Sequence, residues 1–361
     1  MKRIFLLWGI ALFAAFANWS GVQACTGITL HTQQGDVVTA RTIEWAAEAL
    51  HSGYVVVPRG HKQQSFLPDG TRTGKRFTAK YGYVGLTVEQ PEFVMNGMNE
   101  AVLEAGLFYF PAYGQYEAYD EALKAQTISD FQLVAWILSS FKSVDEVKTA
   151  LPLIHVVGID PRSSTVHWRV TEPGGRQMVI EITDGQAHFY ENTLGVLTNA
   201  PGFEWHLTNL NNYINLSTGT INTRRVGDLT LTAFGGGGGL HGIPGDMTPP
   251  SRFVRAAFFQ ASAPKLASAE ETVTEAFHIL NNFDIPIGVQ FAEGQTVADI
   301  PSATQWTIAC DLQGKRIYYR TMYNATIRCI DLNRINFRTV KYQKAALDRE
   351  KKQPIEQVVI Q

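Results

Sequence analysis

Cys25 constrains this 361-residue chain more than any other residue, because it follows a segment laid out like a cleavable leader. Met1–Ala24 opens with Lys2 and Arg3, runs apolar from Ile4 to Phe16, and closes on Val22-Gln23-Ala24, the positions a signal peptidase reads. Cleavage after Ala24 would leave residues 25–361 as one unit whose first residue carries a thiol and a free α-amine on the same carbon. An α-amine titrates near pH ~8 and a thiol near ~8.5, so the amine can serve as base for its own side chain. Two other readings stay open on this segment alone: a buried structural cysteine, or a lipoprotein cysteine acylated at the membrane. Against the lipoprotein, Gln23 stands where a small residue is wanted, and Val22 rather than Leu lies three residues before Cys25.

Loss of the leader removes two basic residues, leaving 29 basic against 33 acidic side chains. That balance, with no Lys/Arg cluster, excludes nucleic acid as the expected partner. No second apolar run reaches the ~20 residues of a membrane span, so no stable membrane insertion is expected and the product is read as periplasmic or secreted. Three cysteines allow at most one disulfide. With Cys25 set aside, Cys310 and Cys329 either pair or remain two thiols, and both lie in strand-like runs.

Short stretches rich in Val, Ile, Thr and aromatics predict strands at Gly27–His31, Val37–Thr42, Tyr54–Val57, Tyr81–Thr87, Val166–Val170, Met178–Thr183, Ala187–Tyr190 and Ile317–Tyr323. Helical spacing predicts helices over Thr127–Phe141, with Ser129 and Asp130 as caps, and over Val144–Ala150, Ser251–Ala261 and Ala269–Leu280. Strands dominate both ends without a βαβ rhythm, which favours an α+β layered single domain. Gly235–Gly239 reads as loop glycines, since no Lys-Ser/Thr follows to make a phosphate loop. No G-x-S-x-G, H-E-x-x-H or C-x-x-C occurs, and the nine histidines show no metal-ligand spacing, so neither cofactor nor metal is expected.

The blocks Cys25-Thr-Gly-Ile-Thr-Leu, Gly35-Asp36 and Ala40-Arg41-Thr-Ile-Glu44-Trp45 resemble the start of the choloylglycine hydrolase family. That family contains bile salt hydrolases and penicillin V acylases. The likeness continues at Asn96-Gly-Met-Asn-Glu100, Phe108-Tyr109-Phe110-Pro111, Gly195-Val-Leu-Thr-Asn199-Ala-Pro, Trp205-His206, Gly242-Ile-Pro-Gly-Asp246 and Pro250-Ser-Arg252-Phe253. The resemblance implies an Ntn-hydrolase fold, a four-layer αββα sandwich with Cys25 at the start of a central strand. It also implies a homotetramer, aided by an extension resembled by Glu191–Gly239.

Roles follow from the same resemblance. Arg41, 16 residues after Cys25, would lie beside the thiol and favour the thiolate. Glu44 falls where the family carries an aspartate that hydrogen-bonds the α-amine, and its extra methylene demands a different rotamer or backbone. Asn199 matches the oxyanion-hole asparagine, and the backbone N–H of Tyr109 would be the second donor, with its ring shaping the acyl pocket. Arg252 would hold neighbouring residues and the polar end of the substrate. Trp45 would line the substrate mouth or pack in the core. Read as plain structure, Arg41 and Arg252 would be surface arginines, Glu44 a solvated strand end, Asn199 a turn residue and Tyr109 a core aromatic.

The expected substrate is a small amide with an apolar acyl group. Tyr109 and the leader favour penicillin V, with N-acyl homoserine lactones beside it. A conjugated bile salt hydrolase is the alternative within the enzyme class. A non-catalytic exported binding protein or lipoprotein on the same fold is the alternative outside it.

Overall fold

Two antiparallel sheets take up most of the strand-forming runs. The computed structural model describes residues 24–160, 164–291, 293–295 and 299–360, so the expected leader up to Gln23 lies outside the described residues. One sheet has five strands in the order Cys25–His31, Val37–Glu44, Thr304–Asp311, Arg316–Thr321, Asn324–Asp331. The other has eight, in the order Gln186–Glu191, Gln177–Thr183, Val166–Thr171, Glu104–Tyr109, Val94–Asn99, Tyr83–Val88, Ser52–Val57, Gln343–Ala346.

The sheets face one another, with Arg41 of the first reaching the carbonyls of Met95 and Leu107 in the second. Helices Pro249–Ser262 and Ala269–Leu280 cover the outer face of the five-stranded sheet. Helix Leu133–Ser140 covers strands Val94–Asn99 and Glu104–Tyr109 on the far side. The layer order is therefore αββα, as the resemblance implied. One continuous apolar core runs through all four layers.

Helices Val144–Ala150 and Ala269–Leu280 form where helical spacing places them, and Ser251–Ala261 extends to Pro249–Ser262. Ser268 and Glu271 cap the Ala269–Leu280 helix reciprocally, satisfying two of its first N–H groups. The helix expected over Thr127–Phe141 is shorter, Leu133–Ser140. Thr127–Ser129 is drawn instead into parallel pairing with His155–Val157, and a single 3₁₀ turn, Asp130–Gln132, follows it. Ser129 makes no side-chain cap there, because its hydroxyl bonds Gln132 at 3.0 Å. All three cysteines are free, Cys25 and Cys310 buried and Cys329 exposed.

Cys25–His31 is an edge strand of its sheet, not the central strand the resemblance implied, and the segment after Gly195 runs beside it. Gly27 and Leu197 exchange backbone hydrogen bonds of 2.7 and 3.1 Å. Gly195 turns the chain into that pairing at φ +80°, a left-handed conformation that glycine adopts at little cost. Gly27 has a different reason: a Cβ there would stand 2.8 Å from Arg169 Nη1 and 2.9 Å from Phe108 Cζ, both fully buried. Gly27→Ala is expected to destabilise the protein by about 1–3 kcal/mol in denaturant unfolding, as overpacking of a filled site does. Gly174→Ala, with nothing within 4 Å of the added carbon, should leave stability near the parent value.

Candidate active site

Antiparallel pairing of Cys25–His31 with Val37–Glu44 sets Gly27 opposite Arg41 and Cys25 opposite Ile43. Side chains alternate along a strand, so Cys25, Gly27 and Arg41 share the face between the sheets, whereas Thr26, Thr42 and Glu44 face the helices. A spacing of 16 residues thereby becomes a contact. Arg41 Nη2 donates to Cys25 Sγ at 2.9 Å.

Arg41 is fully buried and every arm is used. Nε donates to the Thr42 carbonyl at 3.1 Å, Nη1 donates to the carbonyls of Leu107 and Met95, and the guanidinium lies 4.1 Å from the centre of the Phe108 ring. Burial holds Arg41 below the usual guanidinium range, and the neighbouring Cys25 opposes that shift. Such a fork presents a fixed positive charge to the sulfur and stabilises it when the proton has left.

The Cys25 nitrogen is held from another direction. Its N–H donates to Asn199 Oδ1 at 2.8 Å, and the same oxygen accepts from Arg252 Nη2 at 2.6 Å. Two donors on one atom identify it as the amide oxygen, and the amide nitrogen donates to the Tyr109 carbonyl at 2.8 Å. Arg252 Nη1 donates to the Cys25 carbonyl at 2.6 Å and to Thr26 Oγ1 at 2.7 Å, and Nε donates to the Met247 carbonyl at 2.9 Å. Burial pushes Arg252 down to about 10. It is no surface arginine: the Pro249–Ser262 helix turns it inward onto the backbone of Cys25.

Glu44 stands on the helix-facing side, where Oε1 accepts from Thr304 Oγ1 at 3.2 Å. Its Oε2 has no partner among the described residues, and burial pushes the carboxyl up to about 8. Its backbone N–H donates to the Ala24 carbonyl at 3.0 Å. Among the described residues it makes no hydrogen bond to the Cys25 nitrogen, which is here a peptide N–H committed to Asn199. Tyr109 contributes its carbonyl to Asn199, and its largely buried ring has its hydroxyl pushed up by burial. Trp45 is half-buried, with its backbone tied to Ala303 and Gln305. The thiol residue itself is only 3% exposed. A cleft of about 440 Å³ opens elsewhere, bordered by Tyr54, Pro91 and Tyr323 and by none of the residues that hold Cys25.

Two histidines that sequence reasoning set aside also serve the site. His206 Nε2 lies 2.9 Å from the Asn199 carbonyl, which can only accept, so that nitrogen carries the proton. The ring stacks on Phe253 at 4.6 Å, and burial pushes it down to about 4. His167 bridges Glu181 and the Thr198 carbonyl, at 3.1 Å to each. Together they pin the backbone on which Asn199 stands. Buried neutral in the fold and charged when unfolded, His206 contributes stability that is present above about pH 6.5 and lost as pH falls toward about 4. The difference is about 3 kcal/mol. His206→Gln should therefore flatten the decline in Tm between pH 6.5 and 4 relative to the parent. An unchanged slope would assign the acid lability to other groups.

Among the described residues no cluster of metal-ligating side chains occurs, and no helix is long and apolar enough to cross a membrane. The family model for linear amide C–N hydrolases of the choloylglycine hydrolase family matches residues 25–347. A bile salt hydrolase/transferase of Clostridium perfringens (strain 13 / Type A) is 34% identical over 332 residues, 89% of this chain and 97% of that protein. A penicillin V acylase of Pectobacterium atrosepticum is 23% identical, over 86% of this chain and 81% of that protein. The crystal structure of a variant of conjugated bile acid hydrolase from Clostridium perfringens superposes with a TM-score of 0.77 at 31% identity, covering 93% of this chain and all of that one. Penicillin V acylase from Agrobacterium tumefaciens shares the fold, with a TM-score of 0.70 at 22% identity over 90% of this chain and 92% of that one. With its length matched from Cys25 onward and its αββα layers shared, the chain belongs to the choloylglycine hydrolase family of linear amide C–N hydrolases.

Proposed function

We propose that removal of Met1–Ala24 frees the Cys25 α-amine, and that the mature enzyme hydrolyses the amide of conjugated bile salts. The observation that carries the mechanism is the double hold on Cys25, with Asn199 Oδ1 2.8 Å from its nitrogen and Arg41 Nη2 2.9 Å from its sulfur. The amine takes the thiol proton and the thiolate attacks the amide carbonyl. A second Asn199 N–H and the Tyr109 backbone N–H receive the developing oxyanion. The protonated amine then passes its proton to the leaving nitrogen, and a water activated by the same amine hydrolyses the thioester. Glu44, buried one residue beyond Ile43 on the paired strand, has its carboxyl pushed up to about 8, and an ammonium formed close by would favour its ionised form. Arg252 keeps Asn199 and the Cys25 carbonyl in place.

The order of substrates differs from the expectation based on Tyr109. Relatives at 30–34% identity are named bile salt hydrolases, whereas the penicillin V acylases stand at 22–23%. That gradient supports the bile salt reading, and Tyr109 supports penicillin V as the second one. The test is incubation of a chain starting at Cys25 with a glycine-conjugated bile salt and, separately, with penicillin V. Faster release of glycine supports the first, and faster release of 6-aminopenicillanic acid the second. Turnover of neither would redirect the assignment to another linear amide, N-acyl homoserine lactones first.

Export and tetramer formation belong to the same proposal. The hairpin Arg224–Val226/Leu229–Leu231 and its surroundings expose Ile214, Val226, Leu229 and Phe234 to solvent, a density of apolar side chains that an isolated subunit rarely shows. Leu229→Lys combined with Phe234→Lys should lower the mass seen by light scattering from four subunits to fewer. A parent protein that is already monomeric would remove the tetramer.

A further inference from the structure

Behind Arg41 lies a second charged pair that the hydrolysis mechanism above does not use. Arg169 and Glu104 are both fully buried between the sheets, with Arg169 Nη2 3.4 Å from Glu104 Oε1. Arg169 Nη1 reaches the Ile28 carbonyl at 3.5 Å, and it fills the space a side chain on Gly27 would need. Gly27 is two residues from Cys25 on the same strand face, about 7 Å along the strand. The Phe108 ring lies 4.1 Å from the Arg41 guanidinium and 5.6 Å from that of Arg169, so both cations touch one ring. Glu104 Oε1 also accepts from Asn96 Nδ2 at 3.1 Å, while Oε2 and Arg169 Nε have no partner among the described residues.

Two arginines that serve only packing would not be set on one ring beneath a thiol. Like charges in a dry layer repel, and Glu104, ion-paired with Arg169, offsets one of them. One positive charge remains, and the thiolate of Cys25 is placed to neutralise it. We propose that Arg169 and Glu104 are a positioning pair for the nucleophile, Arg169 adding to and Glu104 subtracting from the positive field that Arg41 delivers to Cys25. Other charged or titratable groups close to this layer are Cys310 on the Thr304–Asp311 strand and the His167–Glu181 pair, with Glu44, Arg252 and Asp311 behind it on the helix-facing side. None of them is changed by the substitutions below. The inference rests on Cys25 being the nucleophile.

The test uses the chain beginning at Cys25 and measures the rate of Cys25 alkylation by iodoacetamide against pH. Peptide masses separate it from Cys310 and Cys329, and kcat/KM is followed in parallel. Glu104→Gln should move the acid limb of both profiles down by about one pH unit, the scale of a unit charge several ångströms away at intermediate dielectric. Arg169→Gln should move it up by a similar amount. Arg169→Lys should stay near the parent, and the double variant Glu104→Gln/Arg169→Gln should return toward it. Opposite signs are a readout that loss of packing does not produce.

Shifts in the same direction, or none, in variants that remain folded by thermal unfolding would overturn the pair. If one single variant does not fold, the other decides by its sign. Amide hydrolysis that persists in Cys25→Ala would instead defeat the nucleophile reading. Unmoved limbs with hydrolysis still dependent on Cys25 defeat only the pair.

Discussion

Cys25→Ser, in a chain that begins at residue 25, is expected to lower amide hydrolysis by on the order of 10⁵-fold while leaving the fold intact. That is the scale lost when a covalent nucleophile is removed from an enzyme that splits an acyl transfer into two steps. An α-amine can deprotonate a thiol of similar acidity, but a serine hydroxyl lies far above it and stays protonated. The substitution is nearly isosteric, and Arg41 Nη2, 2.9 Å from the sulfur, keeps an acceptor. Cys25→Ala is a harsher change, since it strands a buried donor at a cost of about 1–3 kcal/mol. Initial rates on both candidate substrates, with thermal unfolding as the control for folding, decide it. An alanine variant within tenfold of the parent would remove Cys25 as nucleophile.

Asn199→Ala should cost about 10²–10³ in kcat, with a smaller change in KM. The side chain joins three elements: it accepts from the Cys25 nitrogen and from Arg252, and it donates to the Tyr109 carbonyl. Its removal leaves a buried carbonyl and an arginine arm without partners, so a stability loss of about 2–4 kcal/mol should accompany the kinetic effect. Asn199→Asp separates the roles. An aspartate still accepts from the Cys25 nitrogen and Arg252, but it offers no N–H to an oxyanion. Its kcat should fall nearly as far as that of the alanine variant, with less loss of anchoring. If the aspartate variant keeps parental kcat, the oxyanion role passes to other donors.

The strands at both ends and three of the four expected helices were legible because one of their faces is apolar and periodic. Val94–Asn99 and Glu104–Tyr109 carry no such signal: every residue in both is buried, and the polar Asn96, Asn99 and Glu104 interrupt the apolar run. Strand Val166–Thr171 shows the limit most clearly. Its alternation suggests Val166, Trp168 and Val170 facing a core, with His167 and Arg169 facing water. Instead both faces are buried, and the polar one lies between the two sheets, where His167 supports Asn199 and Arg169 sits under the Cys25–His31 strand. A period of two separates the faces of a strand, but it does not say which face is wet when a second sheet covers it.

The linear order by itself determined the inventory of candidate site groups: a cysteine after a leader-like segment, an arginine one hairpin later, and the blocks that contain Asn199 and Arg252. It also determined the layered α+β class, through strand runs that dominate both ends with no βαβ rhythm. Only the tertiary structure decided that Glu44 lies on the opposite face from the thiol, that Arg252 turns inward, and that His206, His167, Arg169 and Glu104 gather around the site. The physical reason is range. Local pattern sets which side chains share a face, whereas the partner of a buried polar group comes from strands and helices up to 260 residues away, brought into register by burial on both sides of each sheet.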